Sequence, residues 1–157
     1  MKTILWPTDL SKTSMKAAPQ VMQQATASGA RLVVLYVAVD LCAYFPAYGN
    51  YPSKEIVQNF QGWEIDHARQ RLEAFCAEQF SECPKEVDLR LVQGDAAEQI
   101  LKAIEREGAD MVIMTTRGHS ADKFAEAVPG LGGVADKVVA RSPVHVMLIN
   151  PYTEPLN

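Results

Sequence analysis

Residues 109–149 read ADMVIMTTRGHSADKFAEAVPGLGGVADKVVARSPVHVMLI, and this stretch decides the fold. It opens with a short apolar run, Met111 to Met114, of the kind a strand buried on both faces needs, and turns polar at Thr115. A loop must follow, carrying Gly118 and then Gly130, Gly132 and Gly133. The last two open an amphipathic segment in which Val134, Val138 and Val139 share one helical face. Val144 to Ile149, preceded by the Ser142-Pro143 turn, is a further apolar strand. Glycines at a helix start also carry chemical meaning. Lacking side chains, they let an anion such as phosphate reach free backbone N–H groups, where the helix dipole adds favourable potential.

Upstream, strands and helices alternate in the same way. Thr3 to Trp6 is a short apolar run, and Pro7, which cannot donate to a sheet ladder, is expected to end the first strand. Thr8, Asp9 and Leu10 supply a turn. Ser11 can cap the next helix, in which Met15, Ala18, Met22 and Ala25 recur at helical spacing until Gly29. Pro19 inside that pattern should kink the helix or push its start toward Ser14. Leu32 to Val39 is a Val-rich central strand. Leu41 to Ser53 is aromatic and turn-rich, a loop whose rings either fold over something or pack on the domain's own surface. Lys54 to Phe80 carries Ile56, Phe60, Ala68, Leu72, Phe75 and Cys76 at spacings near those of one long amphipathic helix. Glu86 to Val92 alternates, with Val87, Leu89 and Leu91 on one face and Asp88 and Arg90 on the other, as in an edge or half-exposed strand. Asp95, with Glu98 three residues on, starts a helix whose buried stripe is Ala97, Ile100, Leu101 and Ile104 and whose end is Gly108. Five strands alternating with helices predict a single doubly wound α/β domain over residues 1–157, with a parallel sheet and helices on both faces.

Composition narrows the function classes. A formal net charge of −4 argues against a nucleic-acid or anionic-membrane partner, since both are normally met by a basic face. Cys42, Cys76 and Cys83 form no Cys-x-x-Cys pair, which argues against a disulfide framework or a tetrahedral zinc site. The start, MKTILWPTDL, is too short in apolar residues for a signal-peptide core, and no run approaches the ~18 apolar residues of a membrane span, so a cytoplasmic protein is expected. His67, His119 and His145 stand apart, without the paired spacing of a metal site.

In a doubly wound sheet, ligands bind beyond the carboxyl ends of the strands where strand order reverses. Two loops leave strands there: Thr8-Asp9 after the first, and residues 115–133 after the fourth. If those strands are neighbours, Asp9 faces the glycine loop. A carboxylate there can take the ribose hydroxyls or base edge of a nucleotide, while Gly132, Gly133 and Val134 offer N–H groups to its phosphates. For Asp9 the alternative is a turn or helix cap, and for Gly130, Gly132 and Gly133 it is loop flexibility with close helix packing.

The chain resembles the universal stress proteins. The resemblance rests on ILWPTDLSKTSMKA at the start, VVLYV at the second strand, GDAAEQIL at the third helix, and ADMVIMTTRG with GGVADKVVARSPVHVMLI at the end. These motifs stand in the family's order from Lys2 to Ile149. The resemblance implies a five-stranded sheet in order 3-2-1-4-5, homodimers, and in one branch a bound ATP or AMP. It implies that Asp9 holds the ribose or adenine, that Val37 meets the adenine through its backbone, and that Gly118, Gly132, Gly133 and Val134 line the phosphates. Pro7, Thr8, Met114, Thr115 and Arg117 complete the candidate site. The nucleotide branch is marked by Gly, two residues, Gly, nine residues, then Gly followed by Ser or Thr. Here Thr115 stands at the first Gly, thirteen residues separate Gly118 from Gly132, and Gly133 replaces the hydroxyl residue.

Rival readings are fewer. Residues 130–135 satisfy the dinucleotide fingerprint Gly-x-Gly-x-x-Ala, but that fingerprint must follow directly on a buried strand, and Phe124 to Pro129 is a poor one. No serine elbow, Walker-type Gly-Lys-Ser or paired catalytic carboxylate occurs, so an enzyme reading would rest on slow hydrolysis of a bound nucleotide, with Arg117 or Lys123 near its phosphates. Two functions follow: an adenine nucleotide (ATP, ADP or AMP) bound as a regulatory ligand in a stress-response protein, or a nucleotide-independent interaction module acting through a dimer. The dimer is expected through Val144 to Ile149, an edge not blunted by lysine or proline; the alternative is cover by the chain's own tail from Pro151 to Asn157.

Overall fold

A computed structural model of the chain describes residues 2–38, 54–79, 87–116 and 131–153. In chain order the elements are β1 (Thr3–Thr8), α1 (Lys12–Met15), α2 (Ala18–Ser28), β2 (Arg31–Ala38), α3 (Lys54–Gln79), β3 (Val87–Gln93), α4 (Ala96–Glu107), β4 (Met111–Thr115), α5 (Gly133–Arg141) and β5 (His145–Ile149). All five strands are parallel and stand in the order β3-β2-β1-β4-β5. The order reverses between β1 and β4, as expected.

Alternation along the strands divides the core in two. Ile4, Trp6, Leu32, Val34 and Ile113 pack with Val21 and Ala25 of α2 and with Ala68 and Leu72 of α3. On the opposite face, Leu5, Val33, Leu35 and Val112 pack with Ile100, Ala103 and Ile104 of α4 and with Ala135 and Val138 of α5. Each fully buried Leu or Val of these layers contributes about 1.5–3 kcal/mol. Trp6 is fully buried against Phe75, ring centroids 6.0 Å apart, and its Nε1–H meets no acceptor among the described residues.

Four expectations are corrected. Pro7 does not end β1. Lys2 O accepts from the Arg31 N–H toward β2, and Thr3 O from the Asp110 N–H toward β4, both at 2.9 Å, so alternation turns Pro7 toward β4. Pairing with β2 therefore continues through Pro7↔Leu35 to Thr8↔Tyr36, whereas the register with β4 stops at Leu5↔Val112. Proline has no N–H to carry that second ladder on, and the two strands part toward their carboxyl ends. Next, the expected first helix is two: Ser11 caps the single turn α1, and α2 starts at Ala18 with Pro19 in its first turn, where a missing N–H costs nothing. Third, Phe60 is exposed rather than on the buried face of α3. Finally, α5 buries Ala135 and Val138, while Val134 and Val139 are exposed.

At the amino end of the sheet the polar groups are paired. Glu107, whose side chain is only 7% exposed, bonds to Arg31 (3.1 Å), Arg90 (3.0 Å) and Arg106 (3.2 Å), and Arg31 Nε donates to Asp88 at 2.8 Å. Burial pushes the Glu107 carboxyl up, but the hydrogen bonds from Arg90, Arg106 and Arg31 outweigh it and hold it below its ordinary value. Asp110 Oδ2 accepts the Thr3 N–H (2.8 Å), and Gly108, at φ 61°, closes α4 with the Ala109 N–H on Ile104 O. Among the described residues no helix is long and apolar enough to cross a membrane.

Candidate functional site

The site lies where β1 and β4 part. Beyond Pro7 the chain turns, with Asp9 Oδ1 accepting the Ser11 N–H (3.0 Å) and Thr8 Oγ1 accepting the Leu10 N–H (3.1 Å). Such short-range bonds are the ones Asp and Thr side chains form readily in turns. Leu10 sits at φ 62°, the one positive φ outside glycine among the described residues, while its side chain is buried in the core on the α2 and α3 side. Ser11 caps α1 by accepting the Ser14 N–H (3.0 Å). Ser14 Oγ lies within hydrogen-bond distance of Ser11 O (3.2 Å) and of Thr8 Oγ1 (2.8 Å).

Across the opening, β4 ends at Thr115, and Thr116 ties two elements to that end. Its N–H donates to Ile149 O of β5 (3.0 Å), and its carbonyl accepts the Gly132 N–H (2.7 Å). That bond corrects the expectation for Gly132, whose N–H is engaged with Thr116 rather than offered to a ligand. The donors move one residue along. Gly132 is the N-cap of α5, in extended conformation, and brings no side chain to cap the helix. Asp136 is the first residue to donate back into the helix, to Gly132 O at 2.9 Å. The N–H groups of Gly133, Val134 and Ala135 thus meet no acceptor among the described residues. Three donors converge at the positive end of the helix dipole.

Between the Asp9 turn and the start of α5 is a cavity of about 280 Å³. Pro7, Thr8, Asp9, Val37, Met114, Thr115, Gly132, Gly133 and Val134, all expected from sequence, line it. Arg117 and Gly118, also expected, lie outside the described residues, as do the loop of residues 41–53 and all but Leu131 of the longer loop. Ser14, Ala96, Ile100, Thr116 and Ala135 join the lining without having been singled out. Ala96 and Ile100 could have been found from the start of α4 after β3, which must reach the same end of the sheet; Ser14 could not, because its approach depends on the split of the first helix. Chemically the lining divides into an apolar wall (Pro7, Val37, Ile100, Met114), a hydroxyl and carboxylate corner (Thr8, Asp9, Ser14), and the donor turn of α5. A Cβ built on Gly133 meets nothing within 4 Å, so this glycine keeps space open rather than avoiding a clash.

Fold and site define a doubly wound α/β domain with an uncapped helix start at its switch point, an arrangement suited to an anionic ligand that has an apolar part. The sequence matches the Universal stress protein family over residues 1–150, and the chain belongs to that family. It is 34% identical over 149 residues to the universal stress protein in the QAH/OAS sulfhydrylase 3' region of Thermus aquaticus, covering 94% of this chain and 98% of the relative. Universal stress protein UspA from Lactobacillus plantarum has the same fold, with TM-score 0.78 at 18% identity, over 95% of this chain and 97% of that one. A universal stress protein family protein from Arabidopsis thaliana, solved with AMP bound, superposes with TM-score 0.58 at 16% identity, over 96% and 92% of the two chains.

Proposed function

We propose that this protein binds an adenine nucleotide, AMP or ADP in preference to ATP, as a regulatory ligand of a stress-response protein. The observation that carries the reading is the uncapped start of α5, whose Gly133, Val134 and Ala135 N–H groups face an apolar wall across the cavity. In this reading the base lies against Val37 and Ile100, Asp9 accepts from the ribose hydroxyls, and a phosphate takes the three N–H groups. The AMP-bound Arabidopsis structure supports the ligand class. Loss of the family's hydroxyl residue at Gly133 removes one phosphate donor, and about 280 Å³ is near the low end of ligand pockets, roughly 300–1,000 Å³; both favour the shorter nucleotides. Binding without turnover is proposed because Asp9 is the one titratable side chain among the described lining residues. Calorimetry with AMP, ADP and ATP tests this: binding in that order of strength is expected, and no heat from any of the three at millimolar concentration overturns it.

A second reading, an interaction module acting through a homodimer, is favoured by the place of β5 at the end of the sheet. Among the described residues that strand pairs with β4 alone, and just beyond it Pro151 O accepts from Lys16 Nζ at 2.8 Å. Val146 and Leu148 face one core layer, and Met147 and Ile149 the other, and all four are only half-buried. The two readings are compatible in a dimer that binds nucleotide. Sedimentation of the protein at tens of micromolar, expected to give a dimer, tests the second. The cytoplasm is the proposed compartment.

A further inference from the structure

The Asp9 turn is held from both faces of the sheet. Asp9 lines the cavity on the α4 and α5 side, while Leu10, the next residue, buries its side chain on the α2 and α3 side and presents its carbonyl to α3. There Arg71 Nη2 donates to Leu10 O at 3.0 Å. Leu10 has φ 62°, a left-handed conformation unfavourable for any residue with a Cβ, and it persists only where surrounding contacts fix it. Three contacts do so: the Leu10 N–H on Thr8 Oγ1, the Leu10 side chain in the core, and the guanidinium on the Leu10 carbonyl. The first lies within the turn, and the second is shared with a whole core layer. The third comes from a helix sixty-one residues away in sequence.

We infer that Arg71 is a positioning residue for the nucleotide site: by holding Leu10 O it keeps the strained turn in the conformation that aims Asp9 at the cavity. This rests on the nucleotide reading above and adds a residue that neither touches the ligand nor lines its cavity. A charged donor on a carbonyl is a strong hydrogen bond, and losing it frees the turn to relax toward negative φ, which swings the peptide between Asp9 and Leu10. The ligand must then restore the turn on binding, and its affinity falls accordingly.

Two measurements on the full chain test this. Amide hydrogen exchange of Arg71→Met should be faster at Leu10 and Ser11, whose acceptors are Thr8 Oγ1 and Asp9 Oδ1 within the turn, and unchanged at the buried strands. AMP titration should show roughly tenfold weaker binding, the size of one charged hydrogen bond. An arginine acting only through its charge on the phosphate would weaken AMP binding without changing exchange at Leu10 and Ser11 in the absence of AMP. Circular dichroism confirms that the variant is folded. Unchanged exchange at Leu10 and Ser11, or AMP affinity equal to the parent's in a variant with faster exchange, overturns the role of Arg71. A parent that binds no AMP overturns the nucleotide reading instead, and with it this role.

Discussion

At the amino end of the sheet Glu107 sits among Arg31, Arg90 and Arg106, and Asp110 accepts a hydrogen bond from Thr3, whereas at the carboxyl end three N–H groups of α5 meet no acceptor among the described residues. Both ends use helix termini. The end of α4 is closed by Gly108 in the left-handed conformation, with the Ile104 and Glu105 carbonyls accepting beyond the helix, and the start of α5 is left open by Gly132, which has no side chain to cap it. Glycine thus seals one terminus and exposes the other, according to whether it stands at the C-cap or the N-cap. The sheet shows the same asymmetry: β1 is paired on both sides at its amino end and parts from β4 beyond Leu5, because Pro7 has no donor to give. Paired polar groups gather at the closed end, and the N–H groups without an acceptor among the described residues lie at the other, where a ligand can use them.

The contrast can be broken most severely at Gly133. Gly133→Val adds a branched side chain in open space, so the fold should keep its melting temperature within a few degrees while AMP affinity falls roughly a hundredfold, about 2.7 kcal/mol. Calorimetry and a thermal melt on the same sample check both halves; parent-like AMP binding would place the phosphate elsewhere.

A substitution at the opposite end should do the reverse. Glu107→Gln removes the charge shared by three arginines and should cost about 2 kcal/mol in urea unfolding, with AMP affinity unchanged. The sign of its pH dependence follows from the lowered carboxyl. A group held below its ordinary 4.5 in the folded state stabilises fully above about that pH and loses its contribution as pH falls through the folded value. The parent and Glu107→Gln curves should therefore run parallel at pH 6–8 and converge below about pH 4.5. A constant gap down to pH 3 would show that the charge is not what matters.

A smaller effect, on both ends of one strand, is expected from Pro7→Val. Restoring the N–H that faces β4 lets the ladder run past Leu5↔Val112, which should raise stability by about 1 kcal/mol and weaken AMP binding several-fold as the opening narrows. A gain in affinity would mean that proline shapes the turn rather than the gap.

Much of this was legible in the sequence. The runs at Met111 to Met114 and Leu32 to Val39, the Asp95 cap with Glu98 and the C-caps Gly29 and Gly108 specify elements through local chemistry, and those elements stand where expected. Alternation at Val87, Leu89 and Leu91 marked β3 as an edge for the same reason. What was not legible depended on a neighbour. Pro7 reads as a strand end until one knows that its missing donor faces β4 and not β2. Gly132 reads as a ligand donor until Thr116 is seen to hold its N–H. Phe60 has the spacing of a buried residue but lies on a part of α3 that the sheet does not cover, where it and the stacked pair Trp63 and His67 are exposed. Periodicity names a helix face, but not how far along the helix that face is covered.

The division of labour between the two ends is tested most directly by amide NMR during AMP titration. The resonances of Gly133, Val134 and Ala135 should shift downfield and saturate with AMP, since each N–H gains an acceptor, while those of Arg31, Asp88 and Arg90 stay in place. Saturable shifts at Arg31, Asp88 and Arg90 with none at residues 133–135 would contradict it, because the ligand would then be using the end of the sheet where the groups are already paired.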